Sequence, residues 1–224
     1  MNIIYKLRLL TIIICFVLLN IKTNAQVPVR EEPRHHPILV NKYIRLLDVW
    51  IQPHDTTQFH IHATPSLFVI LSNTNTVSQI KGEGWQSGVS NPGTTWYRSF
   101  TPDILVHRVA NIDTIPFHVN DIELLSSYHP EKKITALAFP LLFENEKAFA
   151  YQLKRQDIIN KTITDRGPMI AELISGDGIS LHKTNDMKAR ILEAGKYVYI
   201  EPRTSFNFKA SGKGEVNLVL FELK

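Results

Sequence analysis

Short β-prone runs, each closed by a turn cluster, set the strongest limit on what this chain can fold into. RLLDVWI, SLFVIL, TVSQI, ILVHRVA and FHVNDIELL come first, and FAYQL, MIAELI, YVYIE and VNLVLFEL follow. Between them lie QPHD, SNTNT, GEGWQSG, SNPGTT, SGDG and ASGKG, rich in Gly, Pro, Asn and Asp. Strands this short bury their apolar side chains only when sheet packs on sheet, which predicts an all-β sandwich or barrel. FENEKAF (143–149) is the one segment with a helical look, and its period is too brief to carry a helix.

The first 25 residues stand apart. Lys6 and Arg8 precede the apolar run LLTIIICFVLL, and the polar NIKTNAQ with its small Ala25 follows. That is the layout of a secretory leader cleaved after Ala25. The apolar run falls short of the about 20 residues a membrane span needs. A retained N-terminal anchor is the competing reading. Ile14 precedes Cys15 where lipidation would need a small residue, so a lipid anchor is rejected. The expectation is an exported protein, periplasmic or extracellular, with no stable membrane insertion after cleavage. The leader carries three basic residues and no acid; without it, 22 Lys and Arg face 21 Asp and Glu. A near-neutral chain with no clustered basic face is not a nucleic-acid binder. Cys15 is the only cysteine, so the mature chain has neither disulfide nor thiolate chemistry.

The remainder divides into two. Residues 26–41 are read as an extended arm, since 26–38 alone hold three prolines and four charges. Beyond the arm the chain repeats itself. A shift of 103 lays PSLFVILS (65–72) on PMIAELIS (168–175), and a shift of 100 lays Pro102 on Pro202. PFHVNDIEL and EVNLVLFEL close the two halves alike. Repetition at this scale outweighs any single motif. It predicts one barrel over 42–130, a linker over 131–145 and a second barrel over 146–224.

Within the first unit, FHIHATPS places His60 and His62 two residues apart. On a strand they share one face, with Phe59 and Ile61 on the other, so two imidazoles can grip one ion. A third ligand is needed, and His107, inside the apolar ILVHRVA, is the candidate. The plain alternative is a structural histidine. The spacing resembles the cupin superfamily, small β-barrels defined by two motifs. His60-x-His62 matches the core of the first. Pro102, His107 and Asn111 match the second. The resemblance implies two tandem cupin-type (double-stranded β-helix or jelly-roll) barrels, with His60, His62 and His107 sharing one divalent ion. Fe(II) is favoured, and Zn, Mn or Ni are alternatives.

The departures are informative. His54 stands at the opening Gly of the first motif, Ser66 at its Glu and Asn73 at its closing Gly; Ile104 replaces the Gly of P-x-G. Without the Glu, the usual fourth protein ligand is gone, although three-histidine centres occur among cupin dioxygenases. In the second half, Ile163 and Asp165 fall at the places of His60 and His62, and Asn207 at that of His107, so that barrel is expected to be structural. His35 and His36 are read as a solvated pair in the arm and His54 as a turn residue facing water; His118 can face either side. Gln58, Tyr97 and Arg108 are the substrate-contact candidates, with packing and surface as their plain alternative, and Trp96 is read as barrel packing.

The expected function is a metal-dependent, dioxygenase-like oxidoreductase acting on a small molecule. A non-catalytic binding module and a structural protein with vestigial histidines are the rivals, because fold does not fix function. With the motif carboxylate lost, redox or Lewis-acid chemistry is expected in preference to proton transfer. The partner is a small-molecule ligand, and a homodimer is compatible with the sequence.

Overall fold

The computed structural model describes residues 26–158, 161–184 and 186–224; the expected leader, residues 1–25, lies outside the described residues. Among the described residues nineteen strands carry the fold. The first half holds β1 (Val27–Pro28), β2 (His35–Val40), β3 (Ile44–Ile51), β4 (His60–His62), β5 (Ser66–Ile70), β6 (Thr74–Ile80), β7 (Trp85–Ser90), β8 (Thr95–Arg98), β9 (Leu105–Asn111) and β10 (Phe117–Leu124). The second holds β11 (Leu141–Glu144), β12 (Ala148–Lys154), β13 (Thr162–Ile163), β14 (Met169–Gly176), β15 (Ile179–Lys183), β16 (Arg190–Leu192), β17 (Lys196–Ile200), β18 (Phe206–Ala210) and β19 (Val216–Leu223). FENEKAF is the hairpin between β11 and β12; among the described residues a 3-10 turn, Val29–Glu31, and one α-helical turn, Arg155–Ile158, interrupt the strands. Among the described residues no helix is long and apolar enough to cross a membrane.

Each half is two sheets face to face. In the first they run β1-β4-β9-β6-β7 and β2-β3-β10-β5-β8; in the second, β13-β18-β15-β16 and β11-β12-β19-β14-β17. Strand for strand the orders coincide, with β1 an addition. Two boundaries differ from the sequence reading. The arm is not an appendage: β2 pairs with β3, and β1 runs parallel beside β4, so residues 27–40 are built into the first barrel. The second barrel starts with β11, inside the stretch read as linker.

Two β2-type and β11-type sheets press against each other, so their central strands are buried on both faces. Leu46, Leu67 and Val69 meet Ile170, Val219 and Phe221 in one apolar core. The opposite faces of the same strands line the two barrel interiors. This double burial explains why β10 and β19 read as near-continuous runs with no clear alternation. Each terminal strand also places a buried glutamate on its barrel-facing side against an arginine. Glu123 accepts from Arg45 at 2.6 Å, and Glu222 accepts from Arg166 at 2.7 and 2.6 Å.

A buried polar contact crosses the shared core. Asn120 Nδ2 donates to Glu172 Oε2 at 2.6 Å, while Glu172 Oε1 and Asn120 Oδ1 face no donor. Burial pushes the Glu172 carboxyl up to about 8. Its folded value lies above the unfolded one, so its contribution is full in acid and is lost as pH rises through about 8. Glu172→Gln keeps the acceptor, adds a donor for Asn120 and removes the titration. Chemical denaturation should show the variant more stable than the parent by about 1–3 kcal/mol at alkaline pH, with the gap closing toward pH ~5.

Candidate metal centre and ligand cavity

The first barrel is hollow where the second is filled. Phe149, Tyr151, Met169, Phe206 and Phe208 pack the second interior. The first encloses a cavity of about 310 Å³. Its histidines come from two adjacent strands in fixed register. β4 and β9 run antiparallel with His60 directly opposite His107, and His62 follows on the same face as His60. The ring centroids lie 4.6 Å apart for His60 and His107, and 5.0 Å for each pair that includes His62. The three expected residues therefore come together.

A fourth imidazole joins them. His35, expected in solvent, is buried on β2, 4.7 Å from the His60 ring and 6.4 Å from that of His62. Ligand atoms of His35, His60 and His62 lie within 4.8 Å of one another. His36 does point outward, as strand alternation requires. The sequence reading missed His35 because it took its segment for an arm. The β-prone HPILV that follows was the available signal.

Hydrogen bonds leave the rings free toward one another. His60 Nδ1 donates to the Gln58 carbonyl at 2.9 Å, and His35 Nδ1 donates to Glu32 Oε2 at 2.8 Å. His60 Nε2, His62 Nδ1 and His107 Nε2 are buried without a protein partner. Burial drives the imidazoles toward the neutral form, His60 to about 4 and His107 to about 3, with His62 also well below its ordinary value. Neutral nitrogens with unshared lone pairs are what a divalent ion requires, so this donor set fits one.

Around the cluster stand Phe68, Trp96 and Phe100, with Arg98 and Asp121 as further ionisable groups. Trp96 stacks on Phe68 at 4.7 Å, Phe100 on His62 at 5.0 Å, and the Arg98 guanidinium lies over Phe100. Asp121 lies fully buried on β10, 3.4 Å from His62 Nδ1, and burial pushes its carboxyl up to about 8. The barrel thus does hold a carboxyl group, contrary to the expectation drawn from the lost motif glutamate. Ser66, at that glutamate's place, is buried and donates to the Thr64 carbonyl at 3.1 Å.

The three substrate-contact candidates face elsewhere. Gln58 precedes β4 in irregular chain and exposes its side chain; only its backbone serves the site. Tyr97 turns to the inter-barrel side and donates to Glu146 at 2.8 Å. Arg108, next to the inward His107, must face out, where it bonds Gln79 and covers Phe59 and Trp85. Trp96 and Arg98 take the inward role. His118 also turns away from the cavity, stacking on Trp50 and bonding Asp48 at 2.7 Å. In the second barrel Ile163 is inward and pairs with Phe206, so Phe206 occupies the place of His107 and Asn207 does not. Asp165 lies beyond the strand end, exposed.

No family model and no curated protein matches the sequence. Solved structures do. AerE from Microcystis aeruginosa is similar with a TM-score of 0.57 and 14% identity, over 86% of this chain and 98% of that one. A Cupin 2 conserved barrel domain protein from Leptotrichia buccalis gives 0.54 and 10%, over 93% and 94%. Salicylate 1,2-dioxygenase from Pseudaminobacter salicylatoxidans gives 0.54 and 9%, over 81% and 71%. The fold is that of a two-barrel cupin, and its first barrel holds a histidine cluster suited to a metal.

The depressed imidazoles have a measurable consequence. The unfolded chain protonates His107 below about 6.5, whereas the folded apo-protein resists until about 3, so acid penalises the folded state. His107→Phe copies the second barrel and removes that penalty. Without metal, its stability relative to the parent should improve by about 1–2 kcal/mol between neutral pH and pH ~5, read by denaturant titration at each pH.

Proposed function

We propose that this is an exported protein that binds one divalent ion through His60, His62 and His107 and acts as a dioxygenase-like oxidoreductase on a small molecule. The observation that carries the reading is the convergence of three imidazoles, His60 and His62 buried and His107 half-buried, each with a buried ring nitrogen that has no protein partner, on one wall of a hollow barrel. When bound, a divalent ion supplies Lewis acidity and, if it is Fe(II), electrons for dioxygen. The likeness to a salicylate dioxygenase is one of fold and supports the class of chemistry only by analogy.

The chain's own residues define the substrate. The aromatic wall of Phe68, Trp96 and Phe100 favours a planar or apolar body, by stacking and by area removed from water. Arg98, on the same side, offers a forked donor for a carboxylate or phenolate. Asp121 closes the site near His62. A small aromatic or unsaturated acid therefore fits better than a neutral sugar or a basic amine.

Untagged protein should carry one equivalent of metal per chain by elemental analysis, and His60→Ala should carry none. Loaded with Fe(II), it should consume oxygen with an acidic member of a panel of phenols, diketones and hydroxy acids. Arg98→Ala should raise KM for that compound about ten-fold or more, as expected for a lost charge-assisted bond. Tight ligand binding without oxygen uptake, unchanged in His60→Ala, would make the barrel a binding module.

A further inference from the structure

The missing motif glutamate leaves a question of what completes the ligand set. Ser66 is not among the residues that line the cavity, and its hydroxyl donates to the Thr64 carbonyl. His35 is the side chain the structure brings in, from β2, in the segment that the sequence presents as an arm. We propose that His35 is a fourth protein ligand of the metal, delivered by the N-terminal strap, residues 27–40, and oriented by Glu32. The proposal rests on the metal reading above.

The geometry favours ligation over simple packing. His35 Nδ1 is committed to Glu32, which leaves Nε2 as the free nitrogen in a ring 4.7 Å from that of His60. Glu32 is itself held rigidly. It is buried, and its carboxylate accepts from the Arg34 and Gln58 backbone N–H groups at 2.8 and 3.1 Å and from the Arg34 guanidinium at 3.3 Å. A carboxylate on the far nitrogen fixes the tautomer and makes an imidazole a better donor. Gln58 links this shell to the other: its N–H binds Glu32, while its carbonyl holds His60 Nδ1.

Anchoring the strap does not require His35. Arg34 makes a two-bond ion pair with Asp55 at 2.9 and 2.7 Å, and the β2–β3 ladder fixes the same stretch. Beyond those anchors, the His35 ring packs beside those of His60 and His62. It adds a ring nitrogen, Nε2, where the motif has lost an oxygen. Because the strap then carries a ligand, metal binding and strap docking are linked: whatever binds only the docked form stabilises it.

The test uses the untagged chain from residue 26 and Co(II), whose visible absorption reports its ligand field. His35→Ala should bind Co(II) at least ten-fold more weakly than the parent with an altered spectrum, and added imidazole should restore the parent spectrum. Glu32→Gln should weaken binding about 10–100-fold while keeping the spectrum. In the parent protein, Zn(II) should slow backbone hydrogen exchange across residues 27–40, a readout that needs no variant to fold. An unchanged spectrum and affinity in His35→Ala, or strap exchange indifferent to metal, would overturn the proposal. If instead His60→Ala keeps its metal, the underlying three-histidine reading fails first, and the two failures are told apart.

Discussion

The register between β4 and β9 is the constraint on which the rest of the site depends. Antiparallel pairing sets His60 directly across from His107, and the two-residue period of a strand then puts His62 on the same wall. A slip of one residue in either strand would turn an imidazole out to the surface and bring Ile61, Val106 or Arg108 into the cavity. The register is protected on the outward face, where Arg108 is held by Gln79, Phe59 and Trp85. On the inward side Val109 packs into the apolar floor with Val49, Ile51 and Val119. Those contacts are long-range in sequence, so the site is a product of the closed barrel and not of any one segment.

The two barrels divide the physical work. A cavity lined by imidazoles and a buried carboxyl group removes packing and adds desolvation, both unfavourable terms. The second barrel has Ile163 opposite Phe206 in the equivalent strands and fills the same volume with apolar side chains. It shares an extensive apolar face with the first through Val219, Phe221 and Ile170. The strand that carries Asp121 toward the cavity is thus backed by a rigid layer, and function and stability sit on opposite faces of the same sheet. Glu123 and Glu222 hold equivalent places and mark what both halves retain, although their arginine partners come from different elements, Arg45 from β3 and Arg166 from the chain before β14; the histidine cluster marks what only the first has.

Legibility in the sequence followed the range over which each physical signal acts. Strand punctuation and the H-x-H period are local, so the all-β class, the tandem repeat and the grouping of His60, His62 and His107 were readable. Arg108 was misassigned although alternation alone, counted from His107, places it outside. Gln58 shows the opposite failure: alternation was extended past the start of β4 into chain that is not a strand. Asp121 was hidden because β10 is buried on both faces and its polar residues give no side. Asn207 was matched to His107 by a shift of 100, where the strand register gives Phe206, a shift of 99. His35 was hidden for a different reason: only the closed barrel brings residue 35 beside residue 60.

Charge balance in the cavity ties these observations together. All the imidazoles facing the cavity from β4 and β9 are held neutral by burial and by one another, so the ligand set brings no negative charge to a divalent ion. Glu32 sits behind His35, one bond removed, and Asp121 stands beside His62 with its proton retained by burial. A bound ion would therefore keep most of its positive charge toward the open cavity, and Arg98 adds to it from the same side. An anion is what such a field stabilises. On the function proposed above, the aromatic wall would set the shape of that anion, and the charge left by a neutral ligand set would favour its binding.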